Sequence, residues 1–349
     1  WLEGAGTRTA AYFASTNRGK RSITIDLASG EGQAIVRRLA ARADVVVENF
    51  KVGSLARLGL GHADLLAVNP RLVYCSISGF GQDGPYRDRP GYDFLLQAMG
   101  GLMSVTGEPD GVPGGGPMKV GVALTDLLTG MYAATAILAA LAHRDRTGEG
   151  QHVDLSLLDV QVATLANQAE SFLVTGRPPG RLGNSHPSIV PYRAFATADG
   201  HIVLAAGNDG QFARFCEVAG RPDLARDPRY ATNAARVSNR GELEPLLAGI
   251  LAARRSADWI SALEAATVPC GPINDLAQVF SDPQVVHRGM RVQAEGAPPV
   301  PMVRSPLRLE GEAPCPPPPT LGAHTDEVLM GLLRMPPAEV AALRRAGVL

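Results

Sequence analysis

The chain has 349 residues, of which 45% are apolar, so it is long enough for two domains with filled cores. Its 33 Lys and Arg residues nearly balance 34 Asp and Glu residues, and the net charge of −1 gives no overall basic field for a nucleic acid or an anionic membrane. An anionic ligand therefore needs a local basic site. The four cysteines lie far apart without metal-ligand spacing, which predicts no metal site and a reduced, cytoplasmic setting.

The first half of the chain alternates short β-branched runs with helical patterns. It predicts a strand at 21–27, a helix at 30–43, and strands at 44–50 and 71–81. After a loop rich in Gly and Pro at 107–117, it predicts a helix from about Asp126 to His143, a strand at 151–157 and a helix at 160–173. Strands that alternate with helices pair in parallel, so we predict a doubly wound, mostly parallel α/β sheet, similar to a Rossmann fold.

The second half of the chain predicts a different arrangement of strands and helices. Residues 192–207 predict a hairpin that turns at Asp199-Gly200, and helical stretches follow near Gln211, Leu243 and Ala257. Prolines are dense at 297–319, which predicts an extended segment that carries the chain back across the surface to two short C-terminal helices. We therefore predict a large α/β domain at 1–180, a smaller α+β domain at 190–290, and a return segment at 297–349 that completes the large domain.

Membrane association is not expected from the apolar pattern. A membrane-spanning helix needs about 20 consecutive, mainly apolar residues. The longest candidate run is interrupted by Asp126 and by the patch at 130–132.

Two carboxylates stand at predicted helix starts. Asp126 lies between two apolar runs, where it would either cap the helix by accepting backbone N–H bonds or act as a nucleophile on a carbonyl substrate. Asp93 repeats the arrangement by opening a helix after a loop. Arg57 follows a strand end, where doubly wound sheets bind ligands, although a solvated surface arginine is the alternative. Two carboxylates that meet in one cleft would be stronger evidence for an active site than either carboxylate alone.

Long motifs carry a family resemblance. They include NRGKRSITIDL, ADVVVENFKVGSLARLGLG, PGYDFLLQAMGGLMSVTGEPDG and GVALTDLLTGMYAATAILAALAHRDRTGEGQHVDLSLLD. In these stretches, and over almost its whole length, the chain resembles the class III CoA-transferases (the CaiB/BaiF family). This family includes formyl-CoA transferase and carnitine CoA-transferase, and the α-methylacyl-CoA racemases share its fold.

The resemblance implies a set of site residues. The catalytic aspartate of the family falls on Asp126. The CoA-contacting positions of formyl-CoA transferase fall on Ile25, Asp26, Leu27, Ala28, Asn49, Phe50, Lys51, Arg57, Pro90, Gly91, Tyr92 and Asp93. Ala28 and Pro90 stand where that enzyme has lysines, and Lys51 is a candidate substitute for the missing charge.

The implied activity is transfer of CoA from an acyl-CoA donor to a carboxylic acid. It proceeds through an anhydride and then a CoA thioester on Asp126, with CoA as substrate and no permanently bound cofactor. The stretch at 186–212 looks most like that of enzymes that use succinyl-CoA and dicarboxylic acids, and His186 and Arg193 are candidates to meet a second carboxylate. A racemase is the alternative, but racemases have a histidine where this chain has Tyr92. The pKa of a tyrosine hydroxyl lies far above neutral pH, so tyrosine is poorly suited to acid/base catalysis there. A non-catalytic CoA-binding remnant is a further alternative.

The resemblance also implies an interlocked homodimer, in which each large domain is completed by its C-terminal segment. Relatives begin with a strand, a glycine-containing turn and a helix before the position of Trp1. We expect this unit, about the first fifty residues of the relatives, to be absent from the chain.

Overall fold

A computed structural model describes residues 10–294, 300–308 and 316–349. The strands are β1 (Val45–Glu48), β2 (Val73–Ser78), β3 (Gln151–Ser156), β4 (Tyr192–Ala196), β5 (His201–Ala205), β6 (Cys270–Pro272), β7 (Arg291–Ala294) and β8 (Val300–Val303). The α-helices are α1 (Ala11–Asn17), α2 (Gly30–Ala40), α3 (His62–Val68), α4 (Asp93–Met99), α5 (Leu102–Val105), α6 (Leu124–Thr147), α7 (Leu157–Thr164), α8 (Asn167–Thr175), α9 (Asp209–Val218), α10 (Pro222–Arg226), α11 (Asn233–Ser238), α12 (Arg240–Leu251), α13 (Ser256–Ala265), α14 (Leu276–Ser281), α15 (Pro283–His287) and α16 (Pro337–Arg345). A 3₁₀ turn at Ala56–Leu58 and a π-helix at Glu327–Leu332 complete the set.

The described residues divide into two compact units. The first comprises those of Trp1–Leu96, Leu124–Val160 and Leu276–Leu349, and the second comprises Gln97–Ala123 and Gln161–Asp275. The domain boundaries predicted near residues 180, 190, 290 and 297 stay predictions. The predicted return segment falls partly on 297–299 and 309–315, which lie outside the described residues.

A parallel sheet with the order β1-β2-β3 lies in the first unit. Val45 pairs with Val73 across β1 and β2, and Val73 pairs with Gln151 across β2 and β3. The middle strand β2 is almost entirely buried, as expected for a strand with neighbours on both sides. The prediction of a mixed α/β chain with a parallel sheet is therefore confirmed.

The strand predicted at 21–27 is wrong. Its β-branched residues lie instead against the C-terminal part of the chain, where the Asp26 N–H donates to Val348 O at 2.8 Å and the Thr24 N–H donates to Thr325 Oγ1 at 3.1 Å. Because isolated backbone groups and side chains supply these partners, no strand ladder forms. The β-branched pattern indicated partial burial, since residues 22–25 are half-buried, but it did not indicate the kind of hydrogen-bond partner.

Helix α2 shows how local sequence sets an element of the first unit. The Ser29 side chain accepts a hydrogen bond from the Gly32 N–H at 3.0 Å, which caps the helix, and Glu31 lies in the first turn. Ile35 faces inward and packs with Leu329 and other C-terminal residues in one apolar cluster. The helix predicted at 30–43 is confirmed, although it ends at Ala40.

The second unit contains the antiparallel sheet β4-β5-β6 and an apolar core around Trp259. Ala196 pairs with His201 at the predicted hairpin turn, and helices α9, α12 and α13 lie where helical stretches were predicted. The strand β6 was not predicted, because its three residues are too short to show a period. The single helix predicted at 160–173 is two helices, α7 and α8, since Ala166 takes a φ of 46° and interrupts the helix.

Helix α6 is longer and more continuous than the sequence indicated. Its 24 residues make it about 36 Å long, and by length and composition alone it could cross a membrane. Core helices of soluble proteins pass the same test, yet only 22% of its most apolar window is buried. Leu127, Met131 and Leu138 are exposed by 54, 61 and 67%, which leaves an uncovered apolar face.

Candidate active site

A cavity opens at the carboxyl ends of β1 and β2, the edge where parallel sheets bind their ligands. Its volume of about 410 Å³ falls in the range of small-molecule sites. It is lined by Asn49, Phe50, Lys51, Val52, Ser78, Gly79, Arg87, Asp88, Arg89, Pro90, Gly91 and Tyr92.

The loop after β1 is fixed by side-chain hydrogen bonds. The Asn49 amide donates through Nδ2 to Ile77 O at 2.8 Å, which ties the loop to the neighbouring strand β2. The Glu48 carboxylate accepts the Phe50 N–H at 2.8 Å. These two bonds set the direction in which the chain leaves β1, so that Phe50 and Lys51 reach the cavity.

The opposite wall is held by a contact between two glycines. A Cβ on Gly79 would lie 2.7 Å from Gly91 Cα, and a Cβ on Gly91 would lie 2.5 Å from Gly79 Cα. Both distances are shorter than any real Cβ contact, so this approach requires glycine on both sides. The contact brings Pro90 and Tyr92 to the end of β2.

Asp93 and Asp126 meet at the start of helix α6. One carboxylate oxygen of Asp93, Oδ1, accepts the Thr125 N–H at 2.8 Å and the Asp126 N–H at 3.4 Å. Asp93 therefore caps α6 from another part of the chain and satisfies two N–H groups that no helical turn can satisfy. The two carboxylates singled out from the sequence are thus neighbours in the structure.

The charge of Asp126 is poorly stabilised. Partial burial raises the pKa of its carboxyl above the ordinary value, and the nearby negative charge of Asp93 raises it further. The side chain remains accessible to a ligand. A carboxylate with a raised pKa is a stronger nucleophile when ionised, and perturbed groups of this kind cluster at functional sites.

The predicted site residues fall into two groups. Asn49, Phe50, Lys51, Pro90, Gly91 and Tyr92 line the one cavity, and Asp93 follows directly in the chain. Arg57 and the stretch at 25–28 are not among the lining residues.

Residues of the second group have other partners. Arg57 donates to Ser54 Oγ at 3.2 Å, Ile25 packs in the C-terminal apolar cluster, and the Ala28 N–H donates to the Asp26 carboxylate at 3.0 Å. Leu27 packs against the cluster around Leu60 and Tyr74. Their predicted role in CoA binding stays a prediction.

A second, smaller cavity of about 230 Å³ adjoins the first and shares Lys51, Val52 and Arg87 with it. In its neighbourhood, the rings of His62 and His152 stack with centroids 4.0 Å apart, and His152 Nε2 lies 3.0 Å from Ser76 Oγ. Burial lowers the pKa of His152, and the charge of His62 lowers it further. This cavity could not be predicted from local sequence pattern, because its residues come from four separate stretches.

The two acceptor candidates of the second unit, His186 and Arg193, both contact other residues of that unit. Arg193 forms an ion pair with the buried Glu244 at 2.6 Å, and the His186 ring lies 5.1 Å from that of Tyr192. The charge of Arg193 is therefore already matched within the unit. In the described part of the chain, no three His, Cys, Asp or Glu side chains lie close enough together to hold a metal ion.

Comparison with known proteins decides the family. The sequence profile described as CoA-transferase family III matches residues 2–325. The chain belongs to this family. It is therefore a family III CoA-transferase, an enzyme class that takes CoA thioesters as substrates.

Named relatives and a solved structure agree with this assignment. The chain is 51% identical over 333 residues to the succinate–glutarate CoA-transferase of Agrobacterium fabrum, covering 93% of this chain and 81% of the relative. It is 42% identical over 346 residues to the succinyl-CoA:glutarate CoA-transferase of Mus musculus, covering 97% and 78%. A CaiB/BaiF family protein from Brucella suis superposes with a TM-score of 0.82 at 47% identity, covering 94% of this chain and 85% of that one.

Several cavity residues of this CoA-transferase were missed from the sequence. Ser78 and Gly79 lie at the end of a strand that was predicted from its apolar pattern, without a functional role for its last residues. Arg87, Asp88 and Arg89 lie in the loop GPYRDRP, which looks like an ordinary charged surface loop. The position of this loop between a strand end and a predicted helix could have indicated a binding site, because binding residues are common on such loops.

Proposed function

We propose that this enzyme transfers CoA from succinyl-CoA to a dicarboxylic acid, with glutarate as the first acceptor to test. The observation that carries the chemistry is the accessible Asp126 carboxylate at the start of α6, next to Asp93. The names of the relatives supply the donor and acceptor classes.

The proposed reaction uses Asp126 as a covalent carrier. Its carboxylate attacks the thioester carbon of succinyl-CoA, the C–S bond breaks, and a mixed anhydride and CoA thiolate result. The thiolate then attacks the aspartyl carbonyl of the anhydride, which releases succinate and leaves CoA on Asp126 as a thioester. The acceptor carboxylate attacks this thioester, and the released thiolate attacks the acceptor acyl carbon, which regenerates Asp126.

Asp93 has a positioning role in this proposal. It occupies the N–H groups of Thr125 and Asp126, so it fixes the first turn of α6 beneath the nucleophile. Its negative charge also raises the pKa of the Asp126 carboxyl, so the ionised carboxylate is a stronger nucleophile. Because those two N–H groups are engaged, the oxyanion of each step needs other donors.

The direct test is incubation of the chain with succinyl-CoA and isotopically labelled glutarate, followed by mass spectrometry of the acyl-CoA products. We expect labelled glutaryl-CoA and succinate to form in equal amounts. Hydrolysis of succinyl-CoA without glutaryl-CoA would contradict the proposal. Exchange of the α-proton with deuterated water, without any new acyl-CoA, would favour the racemase.

Homodimer formation is a further part of the proposal, supported by the exposed apolar face of α6. Monomeric proteins rarely leave such a contiguous face in water. We expect light scattering to give twice the mass of one chain, and Leu138→Gln, on that face, to weaken the assembly. A monomeric chain with full activity would contradict it. The cytoplasmic setting stays a prediction from the cysteine spacing.

A further inference from the structure

A third cavity lies in the second unit, between strand β4 and helix α12. Its volume is about 470 Å³, and all of its lining residues belong to these two elements. None of them is among the residues predicted to bind CoA. Apart from the charged residues Arg193, Arg240 and Glu244, the lining residues of this β4–α12 cavity are apolar or glycine.

The carboxylate of Glu244 is bound on one side only. Its side chain is 8% exposed, and its oxygen Oε2 accepts hydrogen bonds from Arg193 Nη1 at 2.6 Å and from Ser185 Oγ at 3.3 Å. The other oxygen, Oε1, is buried and has no hydrogen-bond partner within the described residues. A buried acceptor without a partner costs free energy.

The guanidinium of Arg240 is bound in the same one-sided way. Its Nη2 donates to His186 O at 2.6 Å and to Pro187 O at 3.1 Å. Its Nη1 is buried and makes no hydrogen bond in the part of the chain that the structure describes. Nη1 lies 3.6 Å from Glu244 Oε1, which is close enough for attraction between the charges but too long for a hydrogen bond. A buried donor and a buried acceptor therefore flank one gap.

A hydroxyl group fits this gap. Its oxygen can lie about 2.9 Å from both atoms, accept a hydrogen bond from Arg240 and donate its proton to Glu244. A carbonyl or ether oxygen accepts but cannot donate, and an ammonium group donates but cannot accept. Water has both functions, so water is the competitor that a ligand hydroxyl must displace.

Charge determines the second group of the ligand. Arg193 and Arg240 bring two positive charges to the cavity and Glu244 brings one negative charge, which leaves an excess of one positive charge. Among the described residues, nothing accepts a hydrogen bond from Arg193 Nη2, and the Arg193 side chain is 34% exposed. One carboxylate balances this charge, and its hydrogen bonds to a guanidinium are charge-assisted.

We propose that the β4–α12 cavity binds a small monocarboxylic acid that carries a hydroxyl group. The hydroxyl lies between Arg240 and Glu244, the carboxylate binds Arg193, and the apolar lining packs against the carbon chain. This inference goes beyond the proposed function, because succinate and glutarate carry two charges and no hydroxyl.

The test compares 2-hydroxybutyrate and 3-hydroxybutyrate with butyrate, which lacks only the hydroxyl, by calorimetry on the full chain. Saturating glutarate is present throughout, so that these acids do not bind in place of the acceptor. We expect one hydroxybutyrate or both to bind at least about tenfold more tightly than butyrate, because the hydroxyl satisfies two buried groups. Equal affinity for all three acids, or no binding of any of them, would overturn the inference and leave water as the occupant of the gap.

Glu244→Gln tests the hydroxyl contact directly. It keeps the shape of the side chain but removes the charge that accepts the hydroxyl proton. We expect the preference for hydroxybutyrate over butyrate to fall below about twofold. A preference that persists at the parent value, in a variant shown by circular dichroism to be folded, would also overturn the inference.

Gly241→Leu tests the cavity without removing an ion pair. Gly241 lines the cavity, and a Cβ there would meet nothing within 4 Å, so the leucine occupies cavity space without a clash. The matched control is Gly249→Leu, which is equally open in the same helix but does not line the cavity. We expect Gly241→Leu to raise the Kd for hydroxybutyrate at least about tenfold and the control to change it less than about twofold. Equal affinities of the two variants would contradict the proposed site.

Discussion

At the scale of single residues, the proposed reaction depends most on the Asp126 carboxylate. Asp126→Ala removes the nucleophile, and we expect turnover to fall by more than about 10⁴-fold, as when covalent residues are removed from other enzymes. CoA binding should change little, because Asp126 does not line the cavity. Steady-state kinetics and calorimetry on the same preparation measure both quantities. Turnover within tenfold of the parent would contradict the assigned role.

The charge of Asp93 should be visible in the pH dependence of turnover. The negative charge of Asp93 raises the pKa of Asp126, and only the ionised Asp126 carboxylate attacks, so turnover rises with pH through that pKa. Asp93→Asn removes the charge but keeps an oxygen that can accept the Thr125 N–H. We therefore expect the acid limb of the kcat profile to move to lower pH.

The control for this prediction is Asp93→Ala. It removes the same charge and also the cap of α6, so it should produce the same pH shift and in addition lower the free energy of unfolding by about 1 kcal/mol. An acid limb that stays in place or moves to higher pH in both variants would show that Asp93 does not perturb the nucleophile.

The sequence identified Asp93 and Asp126 as candidates but did not show that they meet. Their contact depends on how the loop after β2 returns to the start of α6, which is a tertiary property. Likewise, Arg87 and Arg89 resemble solvated surface residues until Gly79 and Gly91 are seen in contact. Local pattern predicts a helix start well because capping is local, whereas the neighbours of that start are set by packing.

At the scale of elements, the loop before α4 depends on close contact of two glycines. Gly91→Ala would place a Cβ 2.5 Å from Gly79 Cα, so the loop must move away from β2. We expect a loss of about 1–3 kcal/mol in the free energy of unfolding and weaker CoA binding. Chemical denaturation and calorimetry check the two effects.

A matched glycine is available in helix α12 for comparison. A Cβ on Gly249 would meet nothing within 4 Å, so Gly249→Ala should be neutral or stabilise by up to about 1 kcal/mol, with unchanged CoA binding. Equal effects of Gly249→Ala and Gly91→Ala would contradict the contact.

Element types were more predictable than their partners. The hairpin of β4 and β5 was recognised because alternation and a turn at Asp199-Gly200 are local signals. The segment at 21–27 has an equally clear β-branched pattern, but its backbone groups are bonded to C-terminal residues about 300 positions away. Local sequence pattern does not indicate such a distant partner, so this strand prediction was wrong.

At the scale of the whole molecule, the cavity at the ends of β1 and β2 and the core around Trp259 belong to different units. Trp259 is fully buried, and its ring N–H donates to Leu251 O at 2.9 Å. Trp259→Phe removes this bond and some volume, so we expect a loss of about 1–3 kcal/mol in the free energy of unfolding. The Kd for CoA should stay within about twofold, because no lining residue is changed.

Circular dichroism in denaturant measures the stability of the variant, and calorimetry measures its CoA affinity. Ile202→Val, another fully buried core position of the second unit, should behave in the same way with a smaller loss of about 1 kcal/mol. A loss of CoA affinity as large as that expected for Gly91→Ala would show that CoA binding depends on the second core.

The most direct test of covalent transfer is peptide mass spectrometry after incubation with succinyl-CoA and trapping with hydroxylamine. Hydroxylamine converts an activated carboxyl group, whether anhydride or thioester, to a hydroxamate. We predict a hydroxamate on Asp126 that forms only when succinyl-CoA is present and is absent from Asp126→Ala. An unmodified Asp126 in an enzyme that is forming acyl-CoA product, or a hydroxamate on another carboxylate, would contradict it.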